Sequence, residues 1–278
     1  MRKDEHQKHE RRIIRDEITT GASPQQAWEA WADPAKISQW FVDRAEGKAE
    51  AGGDIKWFFD KFNLELSYKV LEGVPGERYA ILWPGPMPPP GILEVIIERE
   101  QGQTLIRLVQ SGFREGAEFN EEYEGVKSGW HNALALLREY LENYFGKPRT
   151  SLLVIQPGQF EYATVARYFR EPNLLTKWLT QSGAIGEEGA ACKLVLHHGE
   201  PVNGRVIART EREVAVSWPE ERATLELKSF SMGPQRMLGV RVSGWSMEAK
   251  RAQEIEKQMT ESVSRLSSAL QSEAKPAS

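Results

Sequence analysis

Residues 118–145 read EFNEEYEGVKSGWHNALALLREYLENYF. The large apolar side chains of this stretch recur at steps of three and four, as they do on one face of an α-helix: Phe119, Tyr123, Val126, Trp130, Leu134, Leu137, Leu141 and Tyr144. Glutamates are concentrated in the first two turns, where the positive end of the helix dipole favours carboxylates. Gly146 and Pro148 then end the pattern. The stretch therefore predicts a long amphipathic helix whose apolar face packs against a sheet.

Upstream of this helix the pattern changes to that of an antiparallel β-protein. A strand is predicted at about 12–20, followed by a short helix capped by Ser23 with Pro24 at its first position. A second short helix is capped by Asp33 and starts at Pro34. Apolar and β-branched residues then predict further strands, at 54–61, 64–71, 79–83, 91–100 and 104–112. This order of elements places the fold in the α+β class.

The second half of the sequence repeats the first. Four pairs of segments correspond at offsets that shrink from 138 to 132 residues: Asp33-Pro34 with Glu171-Pro172, Trp40-Phe41 with Trp178-Leu179, Trp83-Pro84 with Trp218-Pro219, and Gly112-Phe113 with Gly244-Trp245. A smooth decrease is typical of a duplicated domain that has lost a few loop residues. We therefore predict a charged tail at 1–11, a first domain at 12–147, a linker at 147–150, a diverged second domain at 151–271 and a tail at 272–278.

The second copy differs from the first at its helix. That helix is expected from Met247 to about Leu270, with no counterpart of residues 114–128, and Ser262 stands where an equivalent of Trp130 would fall. Four of the nine tryptophans have no partner in the second half: Trp28, Trp31, Trp57 and Trp130. Because these large side chains lie in the first domain alone, we expect that domain to be the one that binds a ligand.

Several short motifs of the first half match a known family in order and spacing: Trp28-Glu29-Ala30-Trp31, Asp33-Pro34, Trp40-Phe41, Gly52-Gly53, Gly112-Phe113 and Gly129-Trp130. Over about 12–145 the chain resembles the C-terminal-domain type of the activators of heat-shock-chaperone ATPase, in the START-like (SRPBCC) helix-grip superfamily. The resemblance implies two helix-grip domains, each a curved antiparallel sheet wrapped around a long C-terminal helix, with an apolar cavity between sheet and helix. The two copies are expected to pack together as a homodimer of single domains would.

Composition and charge exclude several functional classes. The 278 residues are 40% hydrophobic and 27% charged, with a net charge of −4, which gives no general attraction to nucleic acid or anionic lipid. No stretch approaches the ~18 apolar residues of a membrane span, and the charged N-terminal segment does not resemble a secretory signal. The single cysteine, Cys192, is expected to be buried and fits a reducing compartment. We therefore expect a cytoplasmic protein without a nucleic-acid partner.

Sequence signals for catalysis are scarce. No phosphate-binding loop, dinucleotide fingerprint or nucleophile elbow is present, so no cofactor, metal site or catalytic residue is predicted. His6 and His9 are interpreted as a solvated pair, while His197 and His198 would point to opposite sides of a strand. Three strand carboxylates are expected on the solvent face of the sheet, namely Glu65, Glu94 and Glu98.

The aromatic residues of the first domain carry the functional prediction. By the resemblance, the candidate ligand-binding residues wall the cavity: Trp57, Phe59, Tyr68, Tyr79, Trp83, Met87, Phe113, Trp130, His131 and Leu134. The proline-rich segment 83–91 would form its rim, although each aromatic side chain taken singly is more typical of a packed core than of a binding site.

Three functional hypotheses follow. The leading one is non-enzymatic binding of a hydrophobic or aromatic small molecule in the first domain. The second, which rests on the resemblance, is a co-chaperone-like module that acts on a heat-shock chaperone ATPase. The third is a cyclase- or hydrolase-like enzyme that uses a pocket carboxylate or His131.

Overall fold

A computed structural model of the chain describes residues 12–83 and 90–273. Three of the residues discussed above, Met87, His6 and His9, lie outside the described residues, as does most of the proline-rich segment.

The first half forms one seven-stranded sheet with three helices. Its strands are β1 (Arg12–Thr20), β2 (Arg44–Gly47), β3 (Asp54–Phe59), β4 (Leu64–Val74), β5 (Arg78–Trp83), β6 (Gly91–Glu100) and β7 (Gln103–Phe113). The strands lie in the order β1-β7-β6-β5-β4-β3-β2, and every neighbouring pair is antiparallel. The helices are α1 (Pro24–Ala32), α2 (Pro34–Ile37) and α3 (Asn120–Glu139), the last of which continues into a π-helical turn at Tyr140–Tyr144.

The second half repeats this arrangement. Its strands are β8 (Arg149–Gly158), β9 (Thr180–Ala184), β10 (Ala191–Leu196), β11 (Pro201–Arg209), β12 (Glu213–Trp218), β13 (Ala223–Met232) and β14 (Gln235–Trp245). Its helices are α4 (Tyr162–Arg170), α5 (Pro172–Leu175) and α6 (Ala249–Glu273). The strand order, β8-β14-β13-β12-β11-β10-β9, is the order of the first sheet. The predicted α+β fold with two helix-grip domains is thereby confirmed. We call the unit from β1 to the π-helical turn the first domain and the unit from β8 to α6 the second domain.

Local sequence signals account for the short helices. Ser23 caps α1 by accepting a hydrogen bond from the backbone N–H of Gln26, and the Gln26 side chain accepts one from the Ser23 N–H in return. Asp33 caps α2 by accepting from the N–H of Ala35 at 2.8 Å. The sequence did not reveal the edge strands β2 and β9, because four or five residues without apolar alternation carry no strand signal.

The repeat is also visible in a buried hydrogen bond. In the first domain the indole N–H of Trp40 donates to the carbonyl of Ala30 at 2.8 Å. In the second domain the indole of Trp178 donates to the carbonyl of Tyr168 at 3.0 Å. Both pairs are separated by ten residues, and each ties the turn after the second short helix to the first short helix.

The second long helix, α6, has nearly its predicted extent, but its correspondence with the first half differs from the expected one. At an offset of 132 residues, the first residue of α6, Ala249, corresponds to residue 117, so the expectation that residues 114–128 have no counterpart was wrong for most of that segment. The first domain forms a 3-10 turn at Ala117–Phe119 before α3, whereas the second has a continuous helix. Because residues 249–260 are mostly polar, they lack the aromatic stripe that would have revealed the correspondence. Among the described residues, no helix is both long and apolar enough to cross a membrane.

The segment 147–150, predicted as a linker, contains the first two residues of β8. The Arg149 side chain donates to two carbonyls of the first domain, that of Trp40 and, at 2.7 Å, that of Val42. Burial lowers the pKa of this guanidinium to about 10, so it remains charged at neutral pH. Arg149 therefore joins the two domains rather than merely separating them.

Helix α3 lies between the two sheets. One side packs on its own sheet, including β1, and the other side packs on β11, β12 and β13 of the second domain. The apolar part of the second contact uses small side chains, with Ala135 of α3 against Ile207, Ala208 and Ala215. Helix α6 makes no comparable contact with the first sheet within the described residues. The domains therefore join different surfaces, unlike the two-fold contact of most homodimers.

Candidate functional site

A cavity of about 260 Å³ lies where α3 meets both domains, and we call it the interdomain cavity. Its lining divides by domain. The first domain contributes the aromatic side chains of Phe41, Phe59, Phe62, Trp83 and Trp130, and the second contributes the charged side chains of Glu226, Lys228 and Arg241. The cavity thus has an apolar wall and a charged wall, supplied by different domains.

Phe41 is at the centre of the aromatic wall. Its ring stacks on Trp130 at 5.4 Å between centroids and 23° between planes, and it contacts Phe59 and Trp57 edge-on at 5.9 and 5.5 Å. Such offset and edge-to-face pairs hold aromatic rings in defined positions. Phe41 was not among the predicted site residues, although the Trp40-Phe41 motif marked it as a residue shared with the family.

The predicted site residues fall into four groups. Phe59, Trp83 and Trp130 line the interdomain cavity. His131 lies elsewhere on the domain interface, and Met87 is outside the described residues. The other five are buried in the hydrophobic core of the first domain: Trp57, Tyr68, Tyr79, Phe113 and Leu134. The resemblance predicted the elements that wall the cavity, but not the depth at which each side chain lies.

Several polar atoms behind the aromatic wall have no hydrogen-bond partner in the described part of the chain. These are the indole nitrogens of Trp31 and Trp57, the hydroxyls of Tyr68 and Tyr79, and the side-chain nitrogen of Gln110. Burial raises the pKa of both tyrosines, so they stay neutral donors. Buried polar groups are almost always hydrogen-bonded, and these groups are therefore available to internal water or to the polar atoms of a ligand.

Ring contacts connect this interior to the cavity. Tyr68 stacks on Trp83 at 5.7 Å and contacts Trp57 at 4.6 Å. On the other side, the indole N–H of Trp130 donates to the side-chain oxygen of Gln110, which leaves the amide nitrogen of Gln110 free. The cavity wall and the unpaired polar groups thus belong to one packed aromatic cluster.

The charged wall lies on the outer face of the second sheet, where α3 covers it. Glu226 is 1% exposed and accepts hydrogen bonds from Asn132 of α3 at 2.8 Å and from Lys228 at 3.3 Å. Lys228 also pairs with the buried Glu213 at 2.8 Å. Burial alone would raise the pKa of Glu226, but Lys228, Arg241 and Asn132 together hold it below the usual value. Glu226 is therefore an ionised carboxylate that already accepts hydrogen bonds from Asn132 and Lys228, which makes it a weak candidate for a general base.

His131 bridges the two domains at a separate polar groove of about 500 Å³. Its two ring nitrogens lie 2.9 Å from Asp16 of β1 and 2.9 Å from Glu188 in the loop before β10. The hydrogen bond to Asp16 is the main cause that raises the pKa of His131 to about 9, with Glu188 adding to it against the effect of burial. The imidazolium form therefore predominates at neutral pH, which suits a structural bridge rather than a pocket base.

This bridge predicts a pH dependence. Because the pKa of His131 is raised from 6.5 in the unfolded chain to about 9, its contribution is fully present below pH 6.5 and is lost as the pH rises through 9. The side chain is 35% exposed, so solvent screening reduces the contribution to about 1 kcal/mol. We expect urea unfolding at pH 6 and pH 10 to show this loss in the wild type. In His131→Gln the same pH interval should show a correspondingly smaller change, and an equal change in both proteins would contradict the assignment.

The three strand carboxylates and the cysteine considered in the sequence analysis have structural surroundings rather than catalytic ones. Glu65 pairs with Lys56 at 2.7 Å, Glu98 with Arg107 and Glu94 with Arg78, in ion pairs on the outer side of the first sheet. Cys192 is buried, and burial raises the pKa of its thiol to about 11. Within residues 12–83 and 90–273, no group of three His, Cys, Asp or Glu side chains is arranged to hold a metal ion.

The second domain has smaller or fully buried side chains where the first has its cavity wall. The counterparts of Phe41, Trp83 and Trp130 are Leu179, Trp218 and Ser262, and all three are buried. A larger depression, of about 890 Å³, lies on this domain between the end of β8, the start of α4 and the last turn of α6. Its charged lining residue Arg236 already pairs with Glu121 and Glu161. The smaller interdomain cavity therefore has the more distinctive lining, and its charged wall was not predicted from the sequence.

The family match found by comparison with known proteins lies within the first domain. Residues 21–142, less than half of the chain, match the model of the AHSA1 family, described as "Activator of Hsp90 ATPase homolog 1-like protein". No curated protein matches the chain.

Similar solved structures include proteins of one and of two domains. The Aha1 dimer from Colwellia psychrerythraea is 22% identical over 49% of this chain and 99% of that one, with a TM-score of 0.43. DynU16, a putative protein of the dynemicin biosynthetic locus, is 18% identical over 93% and 98%, with a TM-score of 0.42. BexL, a di-domain ARO/CYC from the BE-7585A biosynthetic pathway, is 12% identical over 95% and 100%, with a TM-score of 0.43. The family-model match, together with the architecture, identifies residues 21–142 as an AHSA1-like domain.

Proposed function

We propose that the first domain binds a small hydrophobic or aromatic molecule in the interdomain cavity. The observation that carries this proposal is the cavity itself, which is bounded by stacked aromatic rings and adjoins buried polar groups without partners. Apolar pockets with a few oriented polar groups are typical of small-molecule sites. Binding would bury apolar ligand surface against Trp83 and Trp130 and would give ring-on-ring contacts that favour an aromatic ligand.

The size of the cavity limits the ligand. Pockets for drug-sized molecules enclose about 300–1,000 Å³, and the interdomain cavity is about 260 Å³. A ligand with one or two rings therefore fits better than a long acyl chain or a polycyclic molecule.

Gly129 allows the cavity to be filled without the removal of any contact. It lies on α3 in the cavity wall, and a Cβ atom at this position would meet no heavy atom within 4 Å. We expect Gly129→Leu to place its side chain in the cavity and to weaken binding at least tenfold. Replacement of a glycine inside a helix also raises helix propensity by up to about 1 kcal/mol, so the variant should remain folded. Binding is measured by quenching of tryptophan fluorescence with a panel of one- and two-ring aromatic compounds.

Gly129→Ala is the matched control. It gives the same gain in helix propensity but fills little of the cavity, so its affinities should stay within about threefold of wild type. Equal binding by the leucine variant, the alanine variant and the wild type would place the ligand elsewhere. A wild-type protein that binds none of the panel would refute the proposed function.

A second candidate function is an interaction with a heat-shock chaperone. The observation that favours it is the match of residues 21–142 to a family described by Hsp90 ATPase activation. The discriminating experiment is an ATPase assay of an Hsp90-type chaperone with and without the purified chain. If the chain stimulates the chaperone ATPase and Gly129→Leu does so equally well, the chaperone interaction is favoured over ligand binding in the cavity. If a saturating concentration of the chain gives no stimulation, the chaperone hypothesis is refuted.

An enzymatic role has less support from the site. His131 does not line the interdomain cavity, and the carboxylate that does, Glu226, is ionised and bonded to Lys228 and Asn132. A general base needs a free lone pair directed at its substrate. The arrangement therefore favours binding over proton transfer.

A further inference from the structure

We propose that the ligand of the interdomain cavity carries an anionic group, with carboxylate as the best fit, and that Arg241 of the second domain binds it. This inference rests on the proposed function, because it names the class of ligand for the same cavity. It also makes the site a composite of both domains, since Arg241 belongs to β14 and the aromatic wall belongs to the first domain.

Arg241 forms no hydrogen bond or ion pair with any residue that the structure describes, although its charge acts on the neighbouring Glu226. It is half-buried in the cavity wall, and its Nε is excluded from solvent and makes no hydrogen bond to any described residue. Its cross-strand neighbour on β13 is Glu226, yet the two do not approach within ion-pair distance. The Nε–H of this guanidinium has lost hydration without gaining the hydrogen bond that would replace it.

Glu226 is not free to fill that role. One of its oxygens accepts from Asn132 at 2.8 Å and from Lys228 at 3.3 Å, and the other accepts from Ser243 at 3.4 Å. Lys228 in turn is shared with Glu213 at 2.8 Å. Glu226 and Glu213 therefore have hydrogen-bond donors as partners. Arg241, by contrast, donates no hydrogen bond to a described residue.

Of the cations that line the cavity, Lys228 is shared between Glu226 and Glu213, whereas Arg241 forms no ion pair within the described residues. In surroundings of low polarity a guanidinium without an ion-pair partner favours a bound anion, because a charge–charge attraction is screened less there than in water. A guanidinium presents paired N–H donors that match the two oxygens of a carboxylate. The aromatic wall opposite would hold the apolar body of the same molecule. An aromatic or apolar carboxylate of one or two rings satisfies both walls at once.

The test compares 2-naphthoate with 2-naphthamide, which have the same ring system and nearly the same shape but differ in charge. Both are titrated into the full chain at neutral pH, and binding is followed by tryptophan fluorescence and calorimetry. We expect naphthoate to bind at least tenfold more tightly than naphthamide. In Arg241→Met this preference should disappear while naphthamide affinity changes little, and in Arg241→Lys part of it should remain.

The possible results separate the two proposals. Equal affinity of the two compounds for the wild type would overturn the anionic assignment and leave the proposed function standing. A preference for naphthoate that persists in Arg241→Met would show that Arg241 is not the recognising group. Binding of neither compound would contradict the proposed function and this inference with it. Arg241→Met also removes a charge that helps to hold the pKa of the buried Glu226 low, so a thermal scan checks that the variant is folded at the temperature of the titration, and Arg241→Lys keeps that charge.

Discussion

Trp245→Ala is expected to lower the free energy of unfolding by about 3–5 kcal/mol, as for other buried tryptophans. Trp245 ends the last strand of the second domain, yet its ring is buried in the core of the first. It stacks on Tyr144 at 4.2 Å between centroids and 8° between planes, and its indole N–H donates to the carbonyl of Gln39 at 2.8 Å. The loss is measured by equilibrium unfolding in urea.

Because Trp245 also couples the domains, its loss should change how they unfold. Two packed domains can melt together, but weaker coupling allows each to melt at its own temperature. We therefore expect calorimetry of Trp245→Ala to show two resolved transitions or a broadened one. Trp245→Phe is the matched control, since it keeps a ring against Tyr144 and loses only the hydrogen bond, at a cost of about 1–2 kcal/mol. A loss below about 1 kcal/mol in the alanine variant would contradict the assigned contact.

The second large effect is expected at the buried charges. Lys228→Met removes the cation shared by Glu213 and Glu226, which are 5% and 1% exposed on their side chains. Two carboxylates would remain buried without this partner, and breaking such a buried pair costs about 3–5 kcal/mol. The combined variant with Lys228→Met, Glu213→Gln and Glu226→Gln should recover a large part of that loss, because no unpaired charge remains. A similar stability of the single and the combined variants would refute this account.

The pH dependence gives an independent check of the same cluster. In the wild type the pKa of Glu226 lies below its ordinary value, so its contribution is present above about pH 4.5 and is lost as the pH falls through the lowered pKa. In Lys228→Met the unpaired carboxylates would instead have raised pKa values and would be relieved by protonation. The stability gap between variant and wild type should therefore narrow on acidification, in urea unfolding followed from pH 7 to pH 4.

Most of the fold was predictable because its signals are local. The capping of α1 by Ser23 and of α2 by Asp33 depends on residues within three positions of each other. The shrinking offset between the two halves predicted a duplication, and the two sheets have the same strand order. The prediction was weakest where the signal is short or absent, as in β2 and β9.

The candidate site was only partly predictable. Alternation along the strands showed that Phe59, Trp83 and Tyr68 share the inner face of the sheet, but it does not tell which of them reaches a cavity. Phe41 was missed because it lies in a turn, where no periodicity applies. The bounds of the two domains, apart from the start of β8 at Arg149, stay a prediction.

The sequence by itself determined the type of fold, its duplication and the aromatic character of the first domain, because these depend on neighbouring residues and on periodicity. The existence of the charged wall, in contrast, was decided by the tertiary structure alone. Glu226, Lys228 and Arg241 alternate with apolar residues and therefore resemble the solvent face of an antiparallel sheet. Only the docking of α3 onto that face, through contacts between residues about 90 positions apart, buries them. Burial is what turns an ordinary surface pattern into a site, since a charge that loses water must find another partner.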